Sequence, residues 1–218
     1  MSTPKLYKDT VTVAVGTAED NFVVHKDLLC FYSDFFRAAF NGSFEEATER
    51  KIKLPDVCIQ TFESFQVWLY SRTLLNTEDS ANESGHATYL TFTALAKLWI
   101  FGDKYLIPLL QNNVIDAMHD KNEKETNNPV LVIKMAYTKT LPGSCLRRAV
   151  IDILVHKAQI DGQPGSMIAP PYLNWWTTEA LADALTVMAS SWKSGLPRFT
   201  TLKNERCHYH VHTEGEHC

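Results

Sequence analysis

The chain has 218 residues, 21 Lys plus Arg against 25 Asp plus Glu, a formal net charge of −4, and 45% hydrophobic against 21% charged residues. These are the ordinary proportions of a globular chain that buries its own core, and they exclude wholesale disorder, a collagen repeat and a coiled-coil rod. Without a basic excess there is no footprint for nucleic acid held by counterion release, nor for a polybasic hold on an anionic membrane.

Val11, Val13 and Val15 alternate with Thr10, Thr12 and Ala14, the period of two that puts one apolar row on one face of a strand. The turn-forming stretch Gly16 to Asn21 leads to Phe22 and Val24, which resume the alternation, so a hairpin is predicted. Asp27 stands where a helix cap belongs, ahead of Leu28, Tyr32, Phe35 and Ala39 at intervals of three and four. Leu29, Phe36 and Phe40 broaden that stripe, so one helix wedged between layers is expected. Ile52 and Leu54 point one way and Lys51 and Lys53 the other in a short third strand that Pro55 ends.

Further helices are predicted over Thr61 to Ser71, with Phe62, Phe65, Trp68 and Leu69, and over Thr91 to Tyr105. The latter carries apolar residues on two faces, the mark of central burial. From residue 106 the pattern is all-helical. Pro108 suits a first turn and Leu109, Leu110, Val114, Ile115 and Met118 continue the period. A short helix at Val130 to Tyr137 ends before Leu141-Pro142-Gly143. Ser144 caps another bearing Leu146, Ala149, Val150, Ile153 and Leu154, and Leu181, Ala184, Leu185, Met188 and Trp192 form a last one. Loops are expected at Asn76 to Thr88, polar and acidic, and at Asp161 to Pro171.

MSTPKLYKDT lacks the apolar core of a signal peptide, and the most apolar later stretch is broken by Asp103 and Lys104, so neither export nor a membrane span is expected. Cys30, Cys58, Cys145, Cys207 and Cys218 are odd in number and widely spaced, which points to free thiols in a reducing cytoplasmic or nuclear compartment.

The order hairpin, helix, strand, helix, buried helix is an α+β arrangement, and its residues resemble a BTB/POZ domain. The carriers are Asp9 to Val13, Phe22-Val23-Val24-His25-Lys26-Asp27-Leu28-Leu29, Ser33 to Phe40, Ile52 to Asp56, Phe62 to Phe65, Trp68 to Ser71, and Ala96 through Asp103-Lys104-Tyr105. The resemblance spans residues 7–120. A helical extension over 129–195 and a Cys/His-rich tail over 196–218 follow, a layout similar to fungal members that carry little beyond this domain. It implies a small three-stranded sheet covered by helices and a protein-interaction module that is not an enzyme. In keeping with this, the sequence has no GxxxxGK phosphate loop, no GxSxG elbow, no HExxH and no CxxC.

Three sets of candidate residues follow. Phe44-Glu45-Glu46 matches the hydrophobic-x-Glu pattern by which BTB ligase adaptors grip a cullin scaffold, Phe44 entering a pocket and Glu46 fixing register. The competing reading folds Phe44 onto its own core and leaves the acids as a solvated loop. Asp9 and Lys26 match the acid and base of a charged pocket in dimeric members of the family, against a plain local ion pair, with Leu28 and Tyr32 as further self-association residues. His25 reads as a hydrogen-bonded core histidine.

Six of the last twelve positions are Cys or His. Cys207, His210, His212 and Cys218 offer two thiolates and two imidazoles for a tetrahedral zinc, while Tyr209 and Val211 alternating with the histidines describe a short strand or frayed tail instead. The spacing CxxHxHx5C contains no helix-forming segment, so groove reading of DNA is not implied. No cofactor is required beyond that structural zinc. Glu78 to Glu83 reads as a solvated loop, and Trp175-Trp176 as the seam of the last helix.

The expected function is therefore protein binding through the domain's surface, as a cullin-type ubiquitin ligase adaptor or scaffold. The alternative is a self-associating, homodimeric module of a transcriptional or structural complex. Protein partners, a cullin or itself are expected; nucleic acid and membrane are not.

Overall fold

A computed structural model of the chain describes residues 7–74, 90–125, 129–157, 167–170, 172–194 and 206–212. The loop predicted at Asn76 to Thr88, Glu78 to Glu83 within it, most of the Asp161 to Pro171 stretch, and Cys218 lie outside them.

Strand β1 (Thr10–Val15) lies in the middle of a three-stranded sheet of order β2-β1-β3, antiparallel to β2 (Asp20–His25) and parallel to β3 (Lys51–Leu54). Val11, Val13 and Val15 are buried as the alternation requires, and Ala14 is buried too. The hairpin register pairs Val13 with Phe22 and Thr10 with His25. Gly16, at φ +73°, supplies one of the two left-handed residues of the turn, and Glu19, at φ +55°, the other.

The helix expected from Asp27 to Ala39 is two helices, α1 (Lys26–Tyr32) and α2 (Asp34–Asn41). They part at Ser33, whose backbone is extended (φ −129°, ψ 118°). Its hydroxyl accepts the Phe36 N–H at 3.0 Å and donates to the Tyr105 carbonyl at 2.6 Å. One fully buried side chain thus caps α2 and ties it to the end of the central helix. Asp27 does not act as a cap; His25 holds that position, without a side-chain bond.

A short helix, α3 (Glu45–Glu49), precedes β3, and α4 (Ile59–Ser71) follows it. Helix α5 (Phe92–Lys104) starts at Thr91, whose hydroxyl accepts the Ala94 N–H at 3.1 Å. Its Leu95, Ala96, Leu98 and Trp99 are almost wholly buried. Helix α6 (Pro108–Lys124) crosses α5 at Gly102, where a Cβ would stand 2.9 Å from Gln111 Cγ. That close approach is why a helix interior carries glycine there.

The extension comprises a 3₁₀ turn (Pro129–Val132), α7 (Ile133–Lys139), α8 (Cys145–Lys157), a 3₁₀ turn (Tyr172–Trp175) and α9 (Thr178–Ser194). One contiguous core runs from Val11 to Tyr209, so the extension shares its hydrophobic interior with the sheet and α1–α6. On α9 the buried side is Ala180 and Ala184, whereas Leu185, expected in the stripe, is exposed. Trp176 is buried and donates from Nε1 to the Met167 carbonyl at 2.8 Å, while its neighbour Trp175 faces solvent. No helix among the described residues is long and apolar enough to cross a membrane.

Candidate docking surfaces

Phe44 stands between α2 and α3 and is 60% exposed, so it does not fold back onto the core. Its direction follows from Gly42: a Cβ there would come 2.6 Å from the Ala38 carbonyl oxygen and 3.1 Å from the Phe44 ring. Glycine lets the chain leave α2 sharply enough to turn the ring outward. Glu46, in the first turn of α3, is half-buried, and Glu45 and Glu49 are exposed. An exposed ring beside acids on a short helix can enter a hydrophobic socket while a carboxylate meets a donor at its rim.

The residues named for self-association do not form one surface. The Asp9 carboxylate pairs with Arg50 at 3.4 Å rather than with Lys26. Lys26 meets Asp9 only through the backbone, its N–H donating to the Asp9 carbonyl at 2.8 Å. Leu28 is 2% exposed, because the α1 stripe that carries it turns onto the sheet, and it cannot touch a second copy in this fold. Tyr32 is half-buried beneath Arg72, whose guanidinium lies 3.7 Å from the ring centroid and bonds its hydroxyl at 3.2 Å. Among the apolar groups that face outward are Tyr7, Val23 on the β2 edge, and Phe31 at the end of α1. His25 is hydrogen-bonded as expected, its Nδ1 2.8 Å from the Tyr70 hydroxyl, with Tyr7 edge-on to the ring at 5.3 Å, but it is half-exposed and not a core residue.

At the Cys/His end, Cys207 Sγ and His212 Nε2 approach to 3.1 Å, a hydrogen-bond contact between two ligand-type side chains. His210 turns to the other side, its Nε2 3.2 Å from Asp116 Oδ1 on α6. Among the described residues no three ligand-type side chains converge. The segment is neither a strand nor a frayed tail: Arg206–Tyr209 form a 3₁₀ turn and Tyr209 is completely buried.

Sequence reasoning missed a cleft of about 520 Å³ between the start of α4 and the α5–α7 side, lined among others by Cys58, Thr61, Lys97, Lys104 and Met135. Cys58 occupies the N-cap of α4 and its Sγ lies 3.1 Å from the Thr61 hydroxyl. Partial burial pushes its thiol up, but the Thr61 hydroxyl, the nearby dipoles of the Thr61 and Gln60 amides and the charge of Lys97 outweigh that and hold it below the usual thiol range. A lone cysteine with no CxxC partner gives no sequence signal of this kind.

Residues 5–99 match the family model of the BTB/POZ domain. No curated protein matches the chain. The mixed sheet roofed by helices is the α+β fold of that domain, extended by helices.

Proposed function

Since the chain carries a BTB/POZ domain, a protein–protein interaction module, we propose that it works as an adaptor or scaffold that docks a cullin-type partner through Phe44 and Glu46. The observation that carries this reading is the outward Phe44 ring, 60% exposed at the head of an acidic helical turn and held there by Gly42. The paired helices α7 and α8 lengthen the platform beyond the domain itself. Binding is the work of such surfaces; no step of bond-making is assigned to any side chain. The test is affinity purification of the tagged chain from its native cell, wild type beside Phe44→Ala with Glu46→Ala. A cullin recovered with the wild type and lost from the double variant is expected. Its absence from both, or equal recovery in both, overturns the adaptor reading.

Self-association is the second reading, favoured by the outward Tyr7, Val23 and Phe31. Mass measurement of the intact purified complex separates the two, since a homodimer unaffected by Phe44→Ala but broken by Phe31→Ser belongs to this second reading alone.

A structural metal at the Cys/His end is proposed only as far as Cys207 and His212 supply two adjacent ligand atoms. Metal analysis of purified protein, with Cys207→Ser as control, checks it: stoichiometric zinc lost in the variant supports the site, and zinc-free wild type overturns it.

A further inference from the structure

The segment 206–212 lies in a groove between α6 and α8 whose contacts are those by which a protein holds a peptide. Asn112, Asp116 and His119 fall at i, i+4 and i+7 on α6, and Cys145 and Asp152 at i and i+7 on α8, so each helix offers one face. The Asn112 side-chain amide grips the backbone of Val211 at both ends, accepting its N–H at 2.7 Å and donating to its carbonyl at 3.0 Å. Cys145 Sγ donates to the His210 carbonyl at 3.5 Å. Those bonds are blind to side-chain identity. Specificity comes from one anchor: the buried Tyr209 ring packs against His119 with centroids 4.9 Å apart, and its hydroxyl donates to Asp152 Oδ2 at 2.7 Å. His208 is exposed, and His210, Val211 and His212 are half-exposed. Arg148, on the same helix as Cys145, bonds Cys145 Sγ through Nη2 at 3.2 Å, and no acceptor for its buried Nε lies among the described residues.

We propose that the α6–α8 groove is a recognition site for a tyrosine-anchored peptide of a partner protein, one that enters through a helical turn ending at the tyrosine, and that residues 206–212 are its tethered resident, displaced when that partner binds. Backbone bonds supply affinity and the tyrosine pocket supplies selection, the division of labour in peptide-reading grooves. This deepens the adaptor reading by giving it a place for a client, yet it fails separately, because peptide binding is measured with no cullin present.

The probe is a fluorescent peptide with the sequence of Arg206 to His212, serine replacing the cysteine, titrated by anisotropy against the full chain. A tethered competitor acts at an effective concentration on the order of millimolar, so the wild type is expected to bind the probe at least tenfold more weakly than Tyr209→Ala, whose own tail has lost its anchor. Asn112→Ala added to Tyr209→Ala, or alanine for tyrosine in the probe, is expected to abolish binding. Folded Tyr209→Ala that ignores the probe overturns the proposal. Should Tyr209→Ala fail to fold, a protease site placed within 195–205 of the otherwise wild-type chain replaces it. After cutting, exchange of the freed end for the probe supports the proposal, and a cut end that never exchanges refutes it. A wild-type dimer that the probe splits into monomers would make a second copy the occupant and overturn the external partner.

Discussion

Arg147 joins three helices of the extension, and replacing it separates the contribution of an ion pair from that of buried carbonyl satisfaction. It lies on α8 and is 6% exposed. Its Nη2 donates to the Tyr137 carbonyl at 2.8 Å and to the Thr140 carbonyl, both at the end of α7, and its Nε donates to Thr140 Oγ1 at 3.2 Å. Its Nη1 reaches Glu179 of α9 at 3.0 Å, but that carboxylate is 66% exposed. An ion pair with one partner in water is worth ~0–1 kcal/mol, so Glu179→Gln is expected to cost less than about 1 kcal/mol. Arg147→Met keeps the apolar stem and removes the donors. Each carbonyl left unpaired costs ~1–3 kcal/mol, and with two of them the expected loss is about 3 kcal/mol, a large share of the ~5–15 kcal/mol that holds a domain folded. Arg147→Lys should fall between, because one ammonium cannot reproduce the planar fork. Urea unfolding followed by tryptophan fluorescence gives all three values. If Glu179→Gln costs as much as Arg147→Met, or if Arg147→Met costs under about 1 kcal/mol, the carbonyl argument is wrong.

Ser33→Ala removes the α2 cap and orphans the Tyr105 carbonyl, so a loss of roughly 2–3 kcal/mol is expected in the same unfolding assay. Gly102→Ala drives a methyl to 2.9 Å from Gln111 Cγ in a packed crossing, with an expected cost of roughly 1–3 kcal/mol and no change in secondary structure by circular dichroism. Cys58 should alkylate with iodoacetamide faster at neutral pH than a free thiol, its rate rising through a midpoint below the ordinary thiol range. Cys30, whose thiol burial pushes up, should lag it at every pH, and peptide mapping by mass spectrometry reads both sites in one sample.

The period-two rows of β1 and β3 and the two-sided burial of α5 were legible because each is a local pattern with a single packing solution. The break at Ser33 was not, since the apolar stripe runs straight through it. What stops the helix is a bond to Tyr105, 72 positions away in the chain. The local ion pair of Asp9 with Lys26, weighed beside the charged pocket that the family resemblance implies, fails for a similar reason: the basic partner of Asp9 within the chain comes from Arg50, just before β3. Leu185 looked interior by spacing, yet among the described residues α9 packs on one side, and Ala180 and Ala184 take that side. The exposure of Phe44 depends on a steric detail at Gly42 that composition does not carry. At the far end, cysteine and histidine counts drew the eye to a metal, whereas the residue that organises the segment is the tyrosine among them.

Tyr209 meets Asp152 across 57 positions, so the pocket around that carboxylate stays incomplete long after its own helix has been made. At ~5–20 residues per second, synthesis leaves it open for roughly 3–11 s. A nascent chain stalled in that interval carries the Asp152 carboxylate and the His119 ring without the tyrosine that covers them in the folded molecule.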